Sequence, residues 1–402
     1  MKVTIASGQA KGAIMAPPSK SMAHRMLICA GLAEGQSIVK NIALSEDVKA
    51  TLGIIRALDG EYTIENQTII MEGVGGKALC TEEVLDSKES GSTLRFFVPL
   101  ILCGGKKTEF TGAKRLFERP LSVYETLCKE QGITFKKKEN GLCVEGQLCA
   151  SHFQIPGDIS SQFVTGLLFA LPLLSGDSVL EVLPPVESQA YIDMTVDALK
   201  YFGIEVQREG YTFSITGNQI YRATDVTVEG DYSNAAFLEA LNLAGGDVVV
   251  DGLEDDSLQG DRVYREYFAA LKEGHARLDI SECPDLGPIL MSVAAMFKGA
   301  TLTGTRRLKI KESDRGTVMA EELKKFGIQV NVLENEIEVY PGTIQTPVQV
   351  LNGHNDHRIV MSLATLCVKT GGIIEGAEAV AKSFPDYFEI LEQLGISVTR
   401  EL

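Results

Sequence analysis

Six stretches of the chain are apolar nearly all round over helical lengths: residues 26–32, 94–102, 163–174, 235–243, 286–297 and 359–367. A helix with no polar face belongs in a core. A glycine closes each run, at Gly35, Gly105, Gly176, Gly246, Gly299 and Gly371, and a strand-like stretch follows, such as Ser37-Ile38-Val39 or Val248-Val249-Val250. Next comes an amphipathic helical segment. In the fifth case Val318, Met319, Leu323 and Phe326 share one face at helical spacing. Several of these segments stop at a glycine followed by alternating residues, at Gly132, Gly203, Gly327 and Gly395. Glycine there suits the left-handed residue just past a helix end, and the alternation from Ile133, Ile204, Ile328 and Ile396 onward predicts a half-buried strand. Stretches such as Tyr211-Thr212-Phe213-Ser214-Ile215 and Glu336-Ile337-Glu338-Val339 predict one more strand.

Most of the marker glycines are about 70 residues apart and the fourth unit is shorter, so the chain reads as an internal repeat. The predicted class is α/β, with two similar domains, each of three helix–strand–helix–strand–strand units around buried helices. A length of 402 residues suits two domains, because single cores stop growing at roughly 250–300 residues. The expected crossings between the halves are Met15-Ala16-Pro17-Pro18 and Val228-Glu229-Gly230-Asp231. One domain would then hold residues 1–17 and 229–402, and the other 18–228. The first fifteen residues would fill strand positions that the short fourth unit lacks.

Composition narrows the function. Hydrophobic residues make up 45% and charged residues 23%, as in an ordinary globular protein. The net charge of −16 disfavours a nucleic-acid or anionic-membrane partner. The eight cysteines form no CxxC pair and sit mostly in apolar runs, which predicts reduced thiols and a cytoplasmic protein. The opening Met-Lys-Val-Thr-Ile-Ala is too short and polar for a secretory signal, and no run approaches the ~18 apolar residues of a membrane span.

Polar residues collect at the N-terminal ends of the six apolar runs. These ends read Ser19-Lys20-Ser21-Met22-Ala23-His24-Arg25, Glu89-Ser90-Gly91-Ser92-Thr93, Asp158-Ile159-Ser160-Ser161-Gln162, Asp231-Tyr232-Ser233-Asn234, Cys283-Pro284-Asp285 and Asn355-Asp356-His357-Arg358. Helix capping explains the Ser, Thr, Asp and Asn residues. It does not explain Lys20, Arg25 and Arg358, since a cation there opposes the helix dipole by about 0.3–1 kcal/mol. A bound anion shared by the cation and the free N–H groups removes the conflict. The opening of the fifth amphipathic helix adds Lys311, Glu312, Asp314 and Arg315, with Lys311, Asp314 and Arg315 at helical offsets that share a face. Lys114-Arg115-Leu116-Phe117-Glu118-Arg119-Pro120 and Ala381-Lys382-Ser383-Phe384-Pro385-Asp386-Tyr387 occupy the same register of their repeats. Such convergent cations on an acidic protein would concentrate small anionic substrates. No metal-ligand spacing is evident, and His24 and His357 read as hydrogen-bonding groups near the site.

These segments resemble the 5-enolpyruvylshikimate-3-phosphate synthases from about Ala16 to Phe388. The specific pieces are Pro18-Ser19-Lys20-Ser21 with Arg25, Ser90-Gly91-Ser92-Thr93-Leu94-Arg95, Arg115 with Glu118-Arg119-Pro120, and Ser160-Ser161-Gln162-Phe163. Those in the second half are Lys311-Glu312-Ser313-Asp314-Arg315, Asp356-His357-Arg358 and Lys382-Ser383-Phe384-Pro385-Asp386-Tyr387. The resemblance implies the enolpyruvyl transferase fold, with the active site in the interdomain cleft and no metal or other cofactor. It also implies transfer of the carboxyvinyl group of phosphoenolpyruvate to the 5-hydroxyl of shikimate 3-phosphate, in chorismate and aromatic amino acid biosynthesis. By the same resemblance Ser21, Arg25, Ser160, Ser161, Ser188, Tyr191, Asp285 and Lys311 hold shikimate 3-phosphate. Gly91, Arg119, Arg315, Arg358 and Lys382 surround phosphoenolpyruvate, and Lys20 and Gln162 touch both. Asp285 matches the general base and Glu312 the general acid, with Lys20 able to share the base role. The chain departs from the family at Glu89-Ser90-Gly91-Ser92, where Asn-Ala-Gly-Thr is frequent, and at Arg307, where Asn is frequent. The expected partners are the two substrates alone, and the expected state is a monomer.

Two other readings compete. The sister transferase that acts on UDP-N-acetylglucosamine shares the six-unit plan, but it has a cysteine on the second-unit loop and Lys-Asn near its start. Here Lys114 to Pro120 has no cysteine and Ser21 follows Lys20. A non-catalytic anion-binding protein would not need Asp285 and Glu312 beside its cations.

Overall fold

The structure, a computed structural model, describes residues 1–76 and 84–401. The chain forms two compact units, one of Met1–Ser19 with Glu229–Leu402 and one of Lys20–Val228. Each has its own apolar core. Cys80 lies outside the described residues, and the seven described cysteines are free thiols.

Five of the six sheets repeat one pattern: an edge strand runs parallel to the next, and two antiparallel strands follow. In the second sheet Val84–Asp86 runs parallel to Thr108–Thr111, which pairs antiparallel with Gly141–Glu145 and then Thr134–Lys138. The sixth sheet takes its third strand from the start of the chain. Lys2–Ile5 lies between Gly372–Glu375 and Val398–Glu401. The remaining sheet has two strands, Lys11–Met15 parallel to Asp247–Asp251.

A short strand precedes each crossing and pairs within its own unit. Lys11–Met15, before the helix Lys20–Leu32, pairs with Asp247–Asp251. Val226–Thr227, before the helix Tyr232–Leu243, pairs with Glu34–Lys40. Between them the Ser19 N–H donates to the Glu229 carbonyl (2.8 Å) and the Asp231 N–H to the Pro17 carbonyl (2.7 Å). Ser19 thus falls on the Glu229 side, and the chain crosses at Lys20.

The six apolar runs are the buried helices Lys20–Leu32, Gly91–Leu102, Ser161–Ala170, Tyr232–Leu243, Gly287–Met296 and His357–Thr370. In the first, every residue from Met22 onward is buried. The glycines at 132, 203, 327 and 395 adopt φ between 68° and 87°. The strands that follow begin later than the alternation predicts, at Thr134, Gln207, Val330 and Val398. The isoleucine after each glycine is used otherwise. The N–H of Ile133, Ile204, Ile328 and Ile396 donates back into the preceding helix, at 2.7–3.1 Å, while the side chain enters the core. That is the Schellman ending, in which an apolar residue past the glycine packs on the last turn.

One predicted helix start is corrected. Arg306–Ile310 is a short 3-10 turn, and the helix begins only at Arg315, capped by Asp314, whose side chain accepts from the Thr317 N–H. Lys311 and Arg315 therefore reach the same carboxylate through an irregular loop and not through helical offsets.

Close helix packing fixes the N-terminal ends of the buried helices. Gly91–Leu102 and Ser161–Ala170 cross at Gly166. A Cβ there would run into the Tyr124 hydroxyl and the Arg95 carbonyl, which are themselves hydrogen bonded at 2.6 Å. Gly166→Ala should lower stability by about 1–3 kcal/mol through overpacking, read as a lower urea midpoint with unchanged m-value.

Candidate active site

Among the described residues none of the six buried helices has Asp or Glu in its first turn. Four begin at a neutral or acidic cap, where Ser90, Ser160, Asp231 and Asp356 accept from backbone N–H groups one turn on. The cations therefore meet the positive ends of helix dipoles.

In the unit Lys20–Val228 the centre is Arg25, which is 2% exposed. Its Nε donates to Thr195 Oγ1 (2.9 Å), its Nη1 to the Ser21 carbonyl (2.6 Å), and its Nη2 to the Tyr191 carbonyl (2.8 Å) and Thr165 Oγ1 (3.4 Å). All these partners are neutral. Burial pulls the guanidinium down to about 10, with Tyr191 and Cys29 pulling the other way. Ser161 stands one helical turn before Thr165, on the same face. Ser188 is buried, adopts the left-handed φ of 57°, and accepts from the Tyr191 N–H (3.2 Å).

A second group lies beside it. Gln162 accepts from Arg95 Nη1 (2.7 Å) and donates to Ser92 Oγ (3.0 Å). Arg119 lies across the backbone of Gly91, so that an added Cβ would sit 2.6 Å from its Nη1. Lys20 Nζ is 2.7 Å from Asp47 Oδ2, at the start of the helix Glu46–Ala57.

The other unit gathers carboxylates and cations together. Arg315, 1% exposed, donates from Nε to Asp356 Oδ2 (2.8 Å), from Nη1 to Asp285 Oδ1 (2.7 Å) and from Nη2 to Glu312 Oε2 (2.7 Å). Lys311 Nζ is 3.0 Å and Arg358 Nη2 3.8 Å from the same Asp285. Burial alone would raise the Asp285 carboxyl, but Lys311, Arg315 and Arg358 outweigh it and hold the group well below its ordinary 3.8. Burial lowers the Lys311 ammonium, against the pull of Asp285. Arg358 is buried under the Phe237 ring, and its Nε and Nη1 have no hydrogen-bond partner among the described residues. Lys382 Nζ donates to the Asn355 carbonyl (2.5 Å).

Each unit thus assembles its own share of the residues singled out from the sequence. Around Arg25 these are Ser21 and Tyr191; Ser188 accepts from the Tyr191 N–H, and Ser160 caps the helix that carries Ser161 and Thr165. Gly91 and Arg119 meet directly, and Gln162 joins Arg95 to Ser92. Asp285, Lys311, Glu312, Arg315 and Arg358 form one network, and Lys382 reaches the loop before Arg358. Asp47, Thr165 and Thr195 were not singled out from the sequence, and Asp356, expected as a helix cap, also binds Arg315. Asp47 looks like an ordinary acidic first-turn residue, and the two threonines look like core helix residues. Asp261 also went unmarked. It is 3% exposed, and burial, reinforced by the nearby Asp285, raises its carboxyl to about 6.

Buried helix ends of this kind, on six α/β units in two bodies, belong to the enolpyruvyl transferase fold. Two solved EPSP synthase structures from Acinetobacter baumannii superpose with a TM-score of 0.79, at 24% and 23% identity. The first covers 99% of this chain and 100% of its own, and the second covers 100% of both. The family model for EPSP synthase (3-phosphoshikimate 1-carboxyvinyltransferase) matches residues 5–391. Among curated relatives, the 3-phosphoshikimate 1-carboxyvinyltransferase of Clostridium novyi (strain NT) is 39% identical, covering 98% of this chain and 97% of that protein. That of Clostridium acetobutylicum is 40% identical over 96% of this chain and 95% of that protein. The chain belongs to the EPSP synthase family.

Two outcomes follow from the geometry. Gly91→Ala should displace the Arg119 guanidinium and weaken phosphate-type anions by about tenfold, the scale of one charge-assisted hydrogen bond, in a calorimetric titration. Asp285, with its folded value depressed, stabilises the fold fully above pH 3.8 and loses that contribution as pH falls through the folded value. The gap in urea midpoint between wild type and Asp285→Asn should hold from neutral pH down to about 5 and shrink below 3.8.

Proposed function

We infer that the chain works as its family does: it transfers the carboxyvinyl group of phosphoenolpyruvate to shikimate 3-phosphate and releases phosphate. The observation that carries the reading is Arg358. A buried guanidinium with two N–H-bearing nitrogens unbonded costs free energy unless an anion completes it. Arg25, buried among neutral partners, makes the same demand.

The proposed division follows the resemblance. Arg25, Ser21, Ser160, Ser161, Ser188, Tyr191 and Lys311 hold shikimate 3-phosphate. Arg119, Arg315, Arg358 and Lys382 clamp the carboxylate and phosphate of phosphoenolpyruvate, for which planar guanidinium forks are suited. Gly91 keeps room for this small ligand, and Lys20 and Gln162 contact both substrates.

Three cations facing Asp285 make it a weak base while the site is empty. When substrate anions recruit Lys311, Arg315 and Arg358, their hold on Asp285 weakens and its basicity rises. Asp285 then takes the proton of the 5-hydroxyl while the oxygen bonds to C2 of phosphoenolpyruvate. Glu312, once protonated, delivers a proton to C3 of the same molecule. The Glu312 carboxylate then takes a proton back from the new methyl group, the C2–C3 double bond re-forms, and the C2–O bond breaks with its electron pair leaving on phosphate. A cytoplasmic, monomeric enzyme is part of the same proposal. The free thiols among the described residues fit a reducing compartment.

The test is phosphate release from phosphoenolpyruvate, with and without shikimate 3-phosphate, and with UDP-N-acetylglucosamine as control acceptor. Release that requires shikimate 3-phosphate is expected; release with the nucleotide sugar alone, or with neither acceptor, overturns the reading. Asp285→Asn and Glu312→Gln should each lower kcat by about 10²–10⁴-fold while both substrates still bind. An unchanged kcat would remove the assigned acid and base roles.

A further inference from the structure

The loop that delivers Arg358 is held by a carboxylate outside the binding set. Glu322 lies two helical turns after Arg315 on the helix Arg315–Lys325, on the same face, and its side chain is 2% exposed. Its two oxygens take three donors at once. Lys325 Nζ is 2.8 Å from both, the Asn352 N–H donates to Oε2 (3.0 Å), and His354 Nε2 is 3.0 Å from Oε1. These donors hold the Glu322 carboxyl below its ordinary value although burial acts against them.

What Glu322 grips is a strained turn. His354 and Asn355 both adopt left-handed φ, 48° and 51°, which side-chain-bearing residues rarely sustain in succession. Before them Gly353 passes so close to the Glu375 and Gly376 carbonyls that a Cβ would lie 3.0 and 2.9 Å away. Directly after the strained pair stand Asp356, which binds Arg315 and caps the next helix, and then Arg358. The Asn355 carbonyl is also the anchor of Lys382. One helix therefore grips the turn at two points, Arg315 through Asp356 and Glu322 through Asn352 and His354.

We propose that Glu322 is a positioning residue for phosphoenolpyruvate, because its carboxylate locks the 352–355 turn that sets Arg358 and the Lys382 anchor. It acts through that turn and touches no substrate. The proposal rests on the functional reading above, in which Arg358 and Lys382 bind phosphoenolpyruvate and Arg25 binds shikimate 3-phosphate.

Glu322→Gln keeps the shape but presents an NH2 group to one of three donors. Steady-state kinetics of this variant should show KM for phosphoenolpyruvate raised by about tenfold, the scale of one lost charge-assisted contact, with kcat and KM for shikimate 3-phosphate within about twofold of wild type. His354→Ala, which removes one of the gripped groups from the other side, should shift the same constant in the same direction. Equal rises in both KM values, or a lower melting temperature with both KM values unchanged, would overturn the proposal and leave Glu322 a stability residue. Wild-type enzyme in the same assay separates the two readings: if it shows no turnover that depends on shikimate 3-phosphate, the functional reading itself has failed.

Discussion

A single buried guanidinium organises the chemistry of one unit. Arg315 is almost wholly enclosed and bonds Asp356, Asp285 and Glu312, each through a different nitrogen. Removing it would leave three carboxylates facing one another in a low-dielectric pocket, an arrangement that costs several kcal/mol. The helix it begins, the cap of the helix at His357 and the turn before Asp285 all meet at this residue. The positions of Glu312, Asp285 and, through Asp356, the start of the helix that carries Arg358 depend on it.

The two units solve the electrostatic problem of buried cations differently. Arg25 is held by hydroxyls and carbonyls, so it keeps its full charge for an incoming anion. Arg315 is already neutralised, so its value lies in what it imposes on carboxylates. Lys20, paired with Asp47, stands between these extremes. The result is one unit suited to recognition and another whose carboxylates have their basicity governed by neighbouring cations. In the proposed reaction substrate charge would control readiness, because anions that recruit Lys311, Arg315 and Arg358 would release Asp285 from them.

Much of this could be read from residue order. Periodicity exposed the six units, the marker glycines located helix ends, and cations at helix N-termini pointed to anionic ligands because simple electrostatics forbids them there without a reason. The rest depended on contacts between residues far apart in sequence. The isoleucines after the glycines looked like strand residues, because alternation cannot separate an apolar helix cap from the first residue of a strand. Lys311 looked helical because its offset from Arg315 fits a turn, whereas the chain is irregular until Asp314 caps it. Glu322 resembled any charged residue on an amphipathic helix. Its burial is set by a turn that arrives 30 residues later, with the Asn352 N–H.

The placement of Lys2–Ile5 has a consequence for the order in which the protein can be completed. This strand is synthesised far ahead of the strands on either side of it, Gly372–Glu375 and Val398–Glu401. The unit of Lys20–Val228 is continuous in sequence and can close while synthesis proceeds. The other cannot finish this sheet until Val398–Glu401 has been made. Through that interval an internal strand waits without either neighbour, and pairings of such long sequence separation are intrinsically slow to form. The unit that carries the Arg315 carboxylate network is therefore the last to become native, so a chain cut short before Val398 can fold the unit around Arg25 yet lacks a finished partner.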